Sequence, residues 1–359
     1  MFSILLDWLE KIKAKKEKKA RKNKKIRFLK AAPFLKKGTY FSNETGFLWY
    51  PKRWKEKALP ENKYLIQQII YANERASRAN TKIGKCIYTI KRKLADRLHC
   101  KRVTLKDHPS FYDGDVAILS RETGAGRVIN YSKKEILSFF RNREQMQDLL
   151  EKRNVWQGLG FAVPAILQTD EARLFFTEEY IEKREYPPEQ GFEFIKKDIL
   201  LHQKGCGDQG LIFCTAEELA EKVKQIEKAA EGWDDGFAVL DFVRSGNYVK
   251  RICHGDLYRN NLIFDGQSFR YIDFEKVAPR IFFLDIIFYM VNDFLRFNND
   301  KLLNAFFAGE YDAYFQELFA VNHCVYDPSM KKVYYFLTLF EYFCESFNSK
   351  IPLDLKSAF

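Results

Sequence analysis

The period of the apolar positions changes along the chain, and the changes mark out its parts. Phe2, Ile4, Leu5, Trp8, Leu9 and Ile12 recur at helical spacing, and helical spacing returns from Asn62 to about Leu98, broken near Gly84. Between them "GTYFSNETGFLWYPKRWKEKALP" (38–60), rich in aromatics, Gly and Pro, reads as a connecting segment. The period then shortens. "DVAILSRE" and "GRVINYS", separated by "TGAG", predict a hairpin. A helix is expected from about Lys133 to Gln157, stopped by Gly158 or Gly160; Pro164 opens an extended segment, and "ARLFFTEEYIE" (172–182) predicts a further strand.

Beyond residue 190 helices dominate. In "TAEELAEKVKQIEKAAEG" Thr215 is an N-cap with Glu218 three residues on, a capping box; Leu219, Val223, Ile226 and Ala230 share one face, and Gly232 is the expected stop. "FFLDIIFYMVNDFL" (282–295) holds Asp285, Asn292 and Asp293, too many polar groups for a membrane span, and reads as a core helix.

One stretch breaks the helical pattern. In "RICHGDLYRNNLIFDGQSFRYIDFEKV" (251–277) the runs "YVKRIC", "NLIF" and "FRYI" are strand-like, and Asp265-Gly266 is a hairpin signal. Pairing the last two runs folds the chain back and brings Asp256 and Asn261 close to Asp273. One carboxylate is then available for a reacting hydroxyl, with an Asn and a second carboxylate as hard oxygen ligands of the kind Mg²⁺ takes. Phosphoryl transfer asks for little more than a metal clamp, an oriented nucleophile and charge stabilisation.

Composition narrows the setting. With 46% hydrophobic and 16% aromatic residues the chain has ample material for a core, which excludes a disordered protein. The net charge of +12 is concentrated: residues 1–37 carry fourteen Lys or Arg against Asp7, Glu10 and Glu17, leaving +1 for the other 322 residues. An apolar anchor followed by a polybasic run is the pattern of a helix lying on an anionic bilayer; a solvated tail and nucleic-acid phosphates are the alternatives, and nucleic acid is the least expected partner. Acidic residues inside the first apolar run, and no small-residue cleavage site after it, argue against a secretory signal. Seven cysteines, odd in number and without a C-x-x-C pair, argue against a disulfide framework or a zinc site and for a reducing cytoplasm, with the inner membrane face as the place a basic tail would find.

"HGDLYRNN" followed by "YIDFEKV" resembles the aminoglycoside phosphotransferase and choline/ethanolamine kinase families, whose H-G-D-x-x-x-x-N motif matches His254, Gly255, Asp256 and Asn261 and whose I-D-[FW]-E motif matches Ile272 to Glu275. The resemblance covers roughly residues 110 to 300. It implies an α+β, two-lobed protein-kinase-like fold: a basic tail (1–37), a helical N-terminal extension (38–109), a small β-rich lobe that grips the nucleotide (110–186) and a helical lobe with the catalytic loop, metal site and acceptor site (187–359). It implies ATP or GTP with Mg²⁺, Asp256 as the base, Asn261 and Asp273 as metal ligands, and His254 bracing the loop. Asp285 would hold that loop from the following helix, and Glu275 would support the metal site. Tyr258, where protein kinases place Lys, favours a small-molecule acceptor.

The chain departs from the pattern at the strand that should carry a phosphate-binding Lys. "GRVINYS" has none at its centre, so Arg127, oriented by Glu144 or Glu151, is the candidate; backbone groups around Glu179 to Ile181 are expected to meet the base. Trp233 with Asp234 and Asp235 is a candidate for holding an amine, although a capped surface turn accounts for the same residues. The acceptor expected from the basic tail is a sugar or a surface glycan. Choline, ethanolamine or an aminoglycoside is the alternative, and a pseudokinase or membrane scaffold is a third reading suggested by the missing Lys.

Overall fold

The structure, a computed structural model, describes residues 31–42, 48–51, 102–105, 110–119, 125–230, 233, 235–346 and 351. The expected helices over 2–12 and 62–98 lie outside these, as do the tip of the "TGAG" turn and most of the basic tail. The chain divides into two compact units: residues 1–147 with 164–181, and residues 148–163 with 182–359.

The first unit is an eight-stranded sheet, antiparallel at every pairing: β1 (Gly38–Ser42), β2 (Leu48–Pro51), β3 (Arg102–Leu105), β4 (Val116–Leu119), β5 (Gly126–Asn130), β6 (Glu135–Phe139), β7 (Ile166–Asp170) and β8 (Phe175–Glu179), in the order β3-β1-β2-β4-β5-β6-β8-β7. The hairpin expected from "DVAILSRE" and "GRVINYS" is β4–β5, paired from Val116↔Ile129 to Leu119↔Gly126.

Three expectations are corrected here. The segment 38–109, expected as a helical extension, contributes β1, β2 and β3 to the sheet, because its aromatic and β-branched residues suit a pleated, half-buried surface. The tail does not run free to residue 37. Ala31, Ala32, Phe34 and Leu35 are buried with Tyr40, Val128, Leu137 and Phe139, and Lys36 pairs with buried Asp115 at 3.1 Å. The helix does not begin at Lys133. The Asn130 carboxamide oxygen accepts from the Lys133 N–H and the Ser132 hydroxyl, closing a turn, and Glu135–Phe139 then pairs on both sides, with β5 and with β8. Helix α1 (Arg143–Gly158) starts only afterwards, and the division between the units falls within it.

The second unit is mainly helical, built on one continuous apolar core. It holds α2 (Pro188–Cys206), α3 (Ala216–Ala229), α4 (Gly236–Phe242), β9 (Lys250–Cys253), β10 (Leu262–Phe264), β11 (Phe269–Tyr271), β12 (Ala278–Ile281), α5 (Leu284–Phe297), α6 (Lys301–Ala308), α7 (Asp312–Val321) and α8 (Lys331–Leu339). The capping box of α3 is present: the Thr215 hydroxyl accepts from the Glu218 N–H at 3.2 Å and the Glu218 carboxylate from the Thr215 N–H at 2.8 Å. Residues 284 to 293 of α5 are all buried, as expected of a core helix.

Gly114 lets the 31–36 segment lie on the sheet. Its N–H donates to the Phe34 carbonyl at 2.7 Å, its carbonyl accepts from the Lys36 N–H, and a Cβ there would meet Val128 Cγ1 at 2.1 Å. Gly114→Ala should therefore cost about 1–3 kcal/mol in denaturant unfolding, through overpacking between two backbones. An unchanged midpoint would show that the segment is not seated there.

Candidate active site

Strands β9 and β12 pair antiparallel, from Cys253↔Ala278 to Lys250↔Ile281, so residues 254 to 277 leave and return at one place. Strand β12 carries Pro279, a residue confined to sheet edges, and the sequence gives no other sign of it. Within this excursion β10 and β11 form the expected hairpin, Leu262↔Tyr271 to Phe264↔Phe269, and the Asp265 carboxylate closes the turn by accepting from Gln267 N–H and Ser268 N–H, both at 2.7 Å. The Ile272 N–H donates to the Asn261 carbonyl at 3.0 Å, extending the ladder by one bond. Asn261 and Asp273 are thereby neighbours across the hairpin mouth.

The loop before the hairpin is fixed from below. The Asp285 carboxylate, buried near the start of α5, accepts from the His254 N–H at 2.7 Å and the Gly255 N–H at 2.9 Å. Gly255 has φ +76°, and a Cβ there would meet the Lys276 carbonyl at 2.4 Å, so only glycine permits the crossing of the two loop ends. The His254 ring is fully buried. Its Nε2 lies 3.0 Å from the Ile272 carbonyl, and it packs edge-on against Trp156 at 5.5 Å. Burial pushes the imidazole down to about 4, so Nε2 carries the proton and donates to Ile272. Behind Asp285 is a cavity of about 50 Å³ walled by Trp156, Phe161, Ile199 and Phe282, room for a few waters and no more.

The reactive groups are at the front. Asn261 Nδ2 donates to the Asp256 carbonyl at 2.8 Å and reaches Asp256 Oδ2 at 3.4 Å, while Asp256 Oδ1 is buried without a hydrogen-bond partner. Burial raises the Asp256 carboxyl to about 7, with Asp273 adding to the rise and Arg296, Lys276 and Asn261 opposing it. Asp273 stands in the left-handed region, φ +73° and ψ 63°, a strained place for a residue other than glycine. There the chain turns out of β11 into the short 3₁₀ segment Phe274–Lys276.

The donor set fits Mg²⁺. With its amide nitrogen committed to Asp256, Asn261 has its carbonyl oxygen to offer, and Asp273 adds a carboxylate. Two oxygen ligands are what Mg²⁺ takes from a protein when phosphates and water complete its shell. Among the described residues no group of three or more His, Cys, Asp or Glu gathers for a metal, so an all-protein cage is not offered.

Each of the other expected residues has its own local setting. Arg127 is on β5, opposite Ile118 and Ser138; the Glu179 carboxylate, at the end of β8, accepts from the Ala165 N–H at 2.9 Å; and Ile181 follows the sheet. All three belong to the first unit, whereas Glu151 is exposed on the part of α1 that belongs to the second. Glu275 is exposed, and its backbone carbonyl accepts from Lys152 at 3.3 Å. Trp233 packs edge-on against Phe336 at 5.0 Å, Asp235 caps α4 without a side-chain bond, and Asp234 lies outside the described residues.

Three residues that the motif does not name join the loop. Arg296 on α5 lies 3.8 Å from Asp256 Oδ1 and stacks over the Tyr258 ring at 3.8 Å. Arg259 pairs with buried Asp293, and Lys183 donates to the Arg259 carbonyl at 2.8 Å. Burial, and Arg259 beside it, push the Lys183 ammonium down to about 7. A signal for Arg296 was present: it follows Asp285 by eleven residues, three helical turns, and so shares its face of α5.

No protein-family model and no curated protein matches the chain. Among solved structures it is similar to a choline kinase from Streptococcus pneumoniae (14% identity, 67% of this chain and 88% of that one, TM-score 0.38). It is similar also to a glucosamine kinase solved with glucosamine, ADP and phosphate (11%, 63% and 77%, 0.39) and to a type VIII aminoglycoside-3′-phosphotransferase (17%, 62% and 90%, 0.35). The choline kinase and the aminoglycoside phosphotransferase are of the kinds that the two motifs resemble. Similarity this weak in identity and superposition assigns no chemistry to the chain.

Two buried groups in the loop titrate in opposite senses. Asp285 is held at about 6 against a usual 3.8, mainly by burial, so its contribution to stability is full below pH 3.8 and is lost as pH rises through 6. His254, at about 4 against 6.5, contributes fully above pH 6.5 and loses that as pH falls through 4. The two slopes oppose in the wild type. Asp285→Asn removes the Asp285 slope and leaves those of His254 and Asp256 in place, so unfolding free energy should rise between pH 4 and 6.5 by up to ~3 kcal/mol more than in the wild type, read from denaturant titrations. Parallel pH profiles for the two proteins would contradict the assignment.

Proposed function

We propose that this chain is an Mg²⁺-dependent phosphotransferase that moves the γ-phosphoryl group of ATP or GTP to a hydroxyl of a small molecule or glycan. The observation that carries the proposal is the buried, unbonded Asp256 Oδ1 beside a pair of oxygen ligands, Asn261 and Asp273, in a loop anchored by Asp285. Asp256 accepts the proton of the acceptor hydroxyl; the oxygen so freed bonds to the γ-phosphorus as the bond to the nucleoside diphosphate breaks, and the diphosphate leaves with that electron pair. Mg²⁺, when bound, neutralises phosphate charge. Asn261 fixes the orientation of Asp256, and the neutral His254 ties the loop to the strand that delivers Asp273.

The nucleotide roles proposed for Arg127, Glu151, Glu179 and Ile181 rest on their order along the chain. The absence of a Lys at the centre of β5 is the observation that favours the second reading, a protein that binds nucleotide without transferring phosphate. Choline, ethanolamine and aminoglycosides are the competing acceptors. The basic segment is proposed to hold the enzyme at an anionic membrane face, and the role is assigned to residues 1 to 30 because Ala31, Ala32, Phe34 and Leu35 are core.

The test is a phosphotransfer screen with ATP and GTP over sugars, glycolipids, choline, ethanolamine and aminoglycosides. Transfer is expected for at least one acceptor, falling roughly 10²–10⁴-fold in Asp256→Asn with thermal unfolding preserved. Full activity in that variant would overturn the mechanism; nucleotide binding without transfer would establish the second reading. Removing residues 1 to 30 should abolish binding to vesicles containing anionic lipid, and unchanged binding would overturn the membrane role.

A further inference from the structure

The side chains around the catalytic carboxylate carry information about the acceptor that the motifs do not. A hydroxyl that donates to Asp256 Oδ1 enters within reach of Arg296, whose Nη2 is 3.8 Å from the same oxygen. The guanidinium is held in place. It lies over the Tyr258 ring at 3.8 Å, and its Nε donates to Asn292 Oδ1 at 2.7 Å. Its side chain is one-fifth exposed, as is that of Asp256.

The neighbouring groups have the same bias. Arg259 covers the Phe297 ring at 4.4 Å and occupies the buried Asp293 carboxylate, and Lys183 sits on the Arg259 carbonyl. Lys276 acts on Asp256 from the segment after β11. Of the acids that face the loop, Asp293 is thus spent, Asp285 is turned to backbone amides, and Asp273 is the proposed metal ligand.

Two aromatic faces beside the loop are taken by the protein's own cations. Tyr258 is under Arg296 and Phe297 under Arg259; further along the unit Lys196 sits 4.7 to 5.5 Å from the rings of Phe192, Tyr311 and Tyr314. A cationic acceptor would face a fixed guanidinium, with the Tyr258 and Phe297 faces already covered and the Asp293 carboxylate already paired. An anionic one would gain a planar fork that matches carboxylate and phosphate oxygens.

We propose that Arg296 is the specificity-determining residue of this site and that the acceptor is an alcohol carrying a carboxylate or phosphate group, an anionic sugar being the class that fits, selected over amines and quaternary ammonium compounds. This rests on the phosphotransferase reading and narrows its acceptor. Arg296 acts on the acceptor's anionic group, leaving proton removal to Asp256.

The test uses the full chain and probes that differ chiefly in charge: glucose, glucosamine, glucuronate, glucose 6-phosphate and choline. Binding is measured by calorimetry with a non-hydrolysable ATP analogue and Mg²⁺, and transfer by release of ADP. Glucuronate or glucose 6-phosphate should bind at least roughly tenfold more tightly than glucosamine or choline, and which of the two leads distinguishes a carboxylate from a phosphate. Arg296→Gln should bring the anionic probes to within about threefold of glucose without changing the KM for ATP, and Arg296→Lys, which keeps the charge and loses the stack, should retain part of the preference. A preference for glucosamine or choline, equal affinity for all five, no binding of any, or an equal loss for all five probes in Arg296→Gln would each overturn the proposal. Charge-selective binding without transfer would leave it standing and remove the kinase reading; transfer to amines would do the reverse.

Discussion

The Asp285 carboxylate, accepting from two consecutive backbone amides, is the interaction on which the rest of the site depends. Hydrogen bonds to a charged group are each worth about 1.5–3 kcal/mol net, and here they hold a loop that has no regular structure of its own between Cys253 and the 3₁₀ turn at Arg259. The anchor stands near the start of a helix whose residues 284 to 293 are all buried, so the loop inherits the position of the core. Every reactive atom is then placed by a short chain of contacts. Asp285 sets His254 and Gly255; His254 reaches Ile272; and Ile272, bonded in turn to Asn261, delivers Asp273.

Burying so many ionisable groups has a cost that the fold distributes. The same low-polarity surroundings raise Asp256 and Asp285 and lower His254 and Lys183. The charged forms of the two acids are supported by backbone amides, an asparagine and Arg296; the two bases are instead held by carbonyls that suit a neutral or partly neutral donor. Elsewhere in the unit burial is offset by pairing: Glu341, buried on the segment after α8, meets Arg280 at 3.2 Å and the Tyr248 hydroxyl.

The polar cluster was legible in the sequence because its spacing is imposed by local geometry. A four-residue turn between two strands fixes how far Asn261 and Asp273 can be from each other, and Gly255 marks the crossing of the loop ends, where a side chain cannot fit. What was not legible depends on partners distant in sequence. Glu135–Phe139 has the composition of a helix start, and becomes a strand because β5 and β8 flank it and Asn130 closes the turn before it. Residues 31 to 35 look like the end of a basic tail, and are core because Gly114 leaves them a seat. Arg296 looks like the exposed end of a core helix. The eleven-residue spacing puts it on the face of Asp285, but its place beside Asp256 depends on where the loop folds.

The central claim is that one hairpin mouth gathers a base and two metal ligands with distinct roles. Mn²⁺ in place of Mg²⁺, titrated with a non-hydrolysable ATP analogue and followed by electron paramagnetic resonance, separates those roles without any need for turnover. Asp273→Asn and Asn261→Ala should weaken Mn²⁺ binding roughly tenfold or more, whereas Asp256→Asn, which alters the base and leaves the ligands in place, should change it by less than about threefold. Wild-type Mn²⁺ affinity in Asp273→Asn would contradict the account.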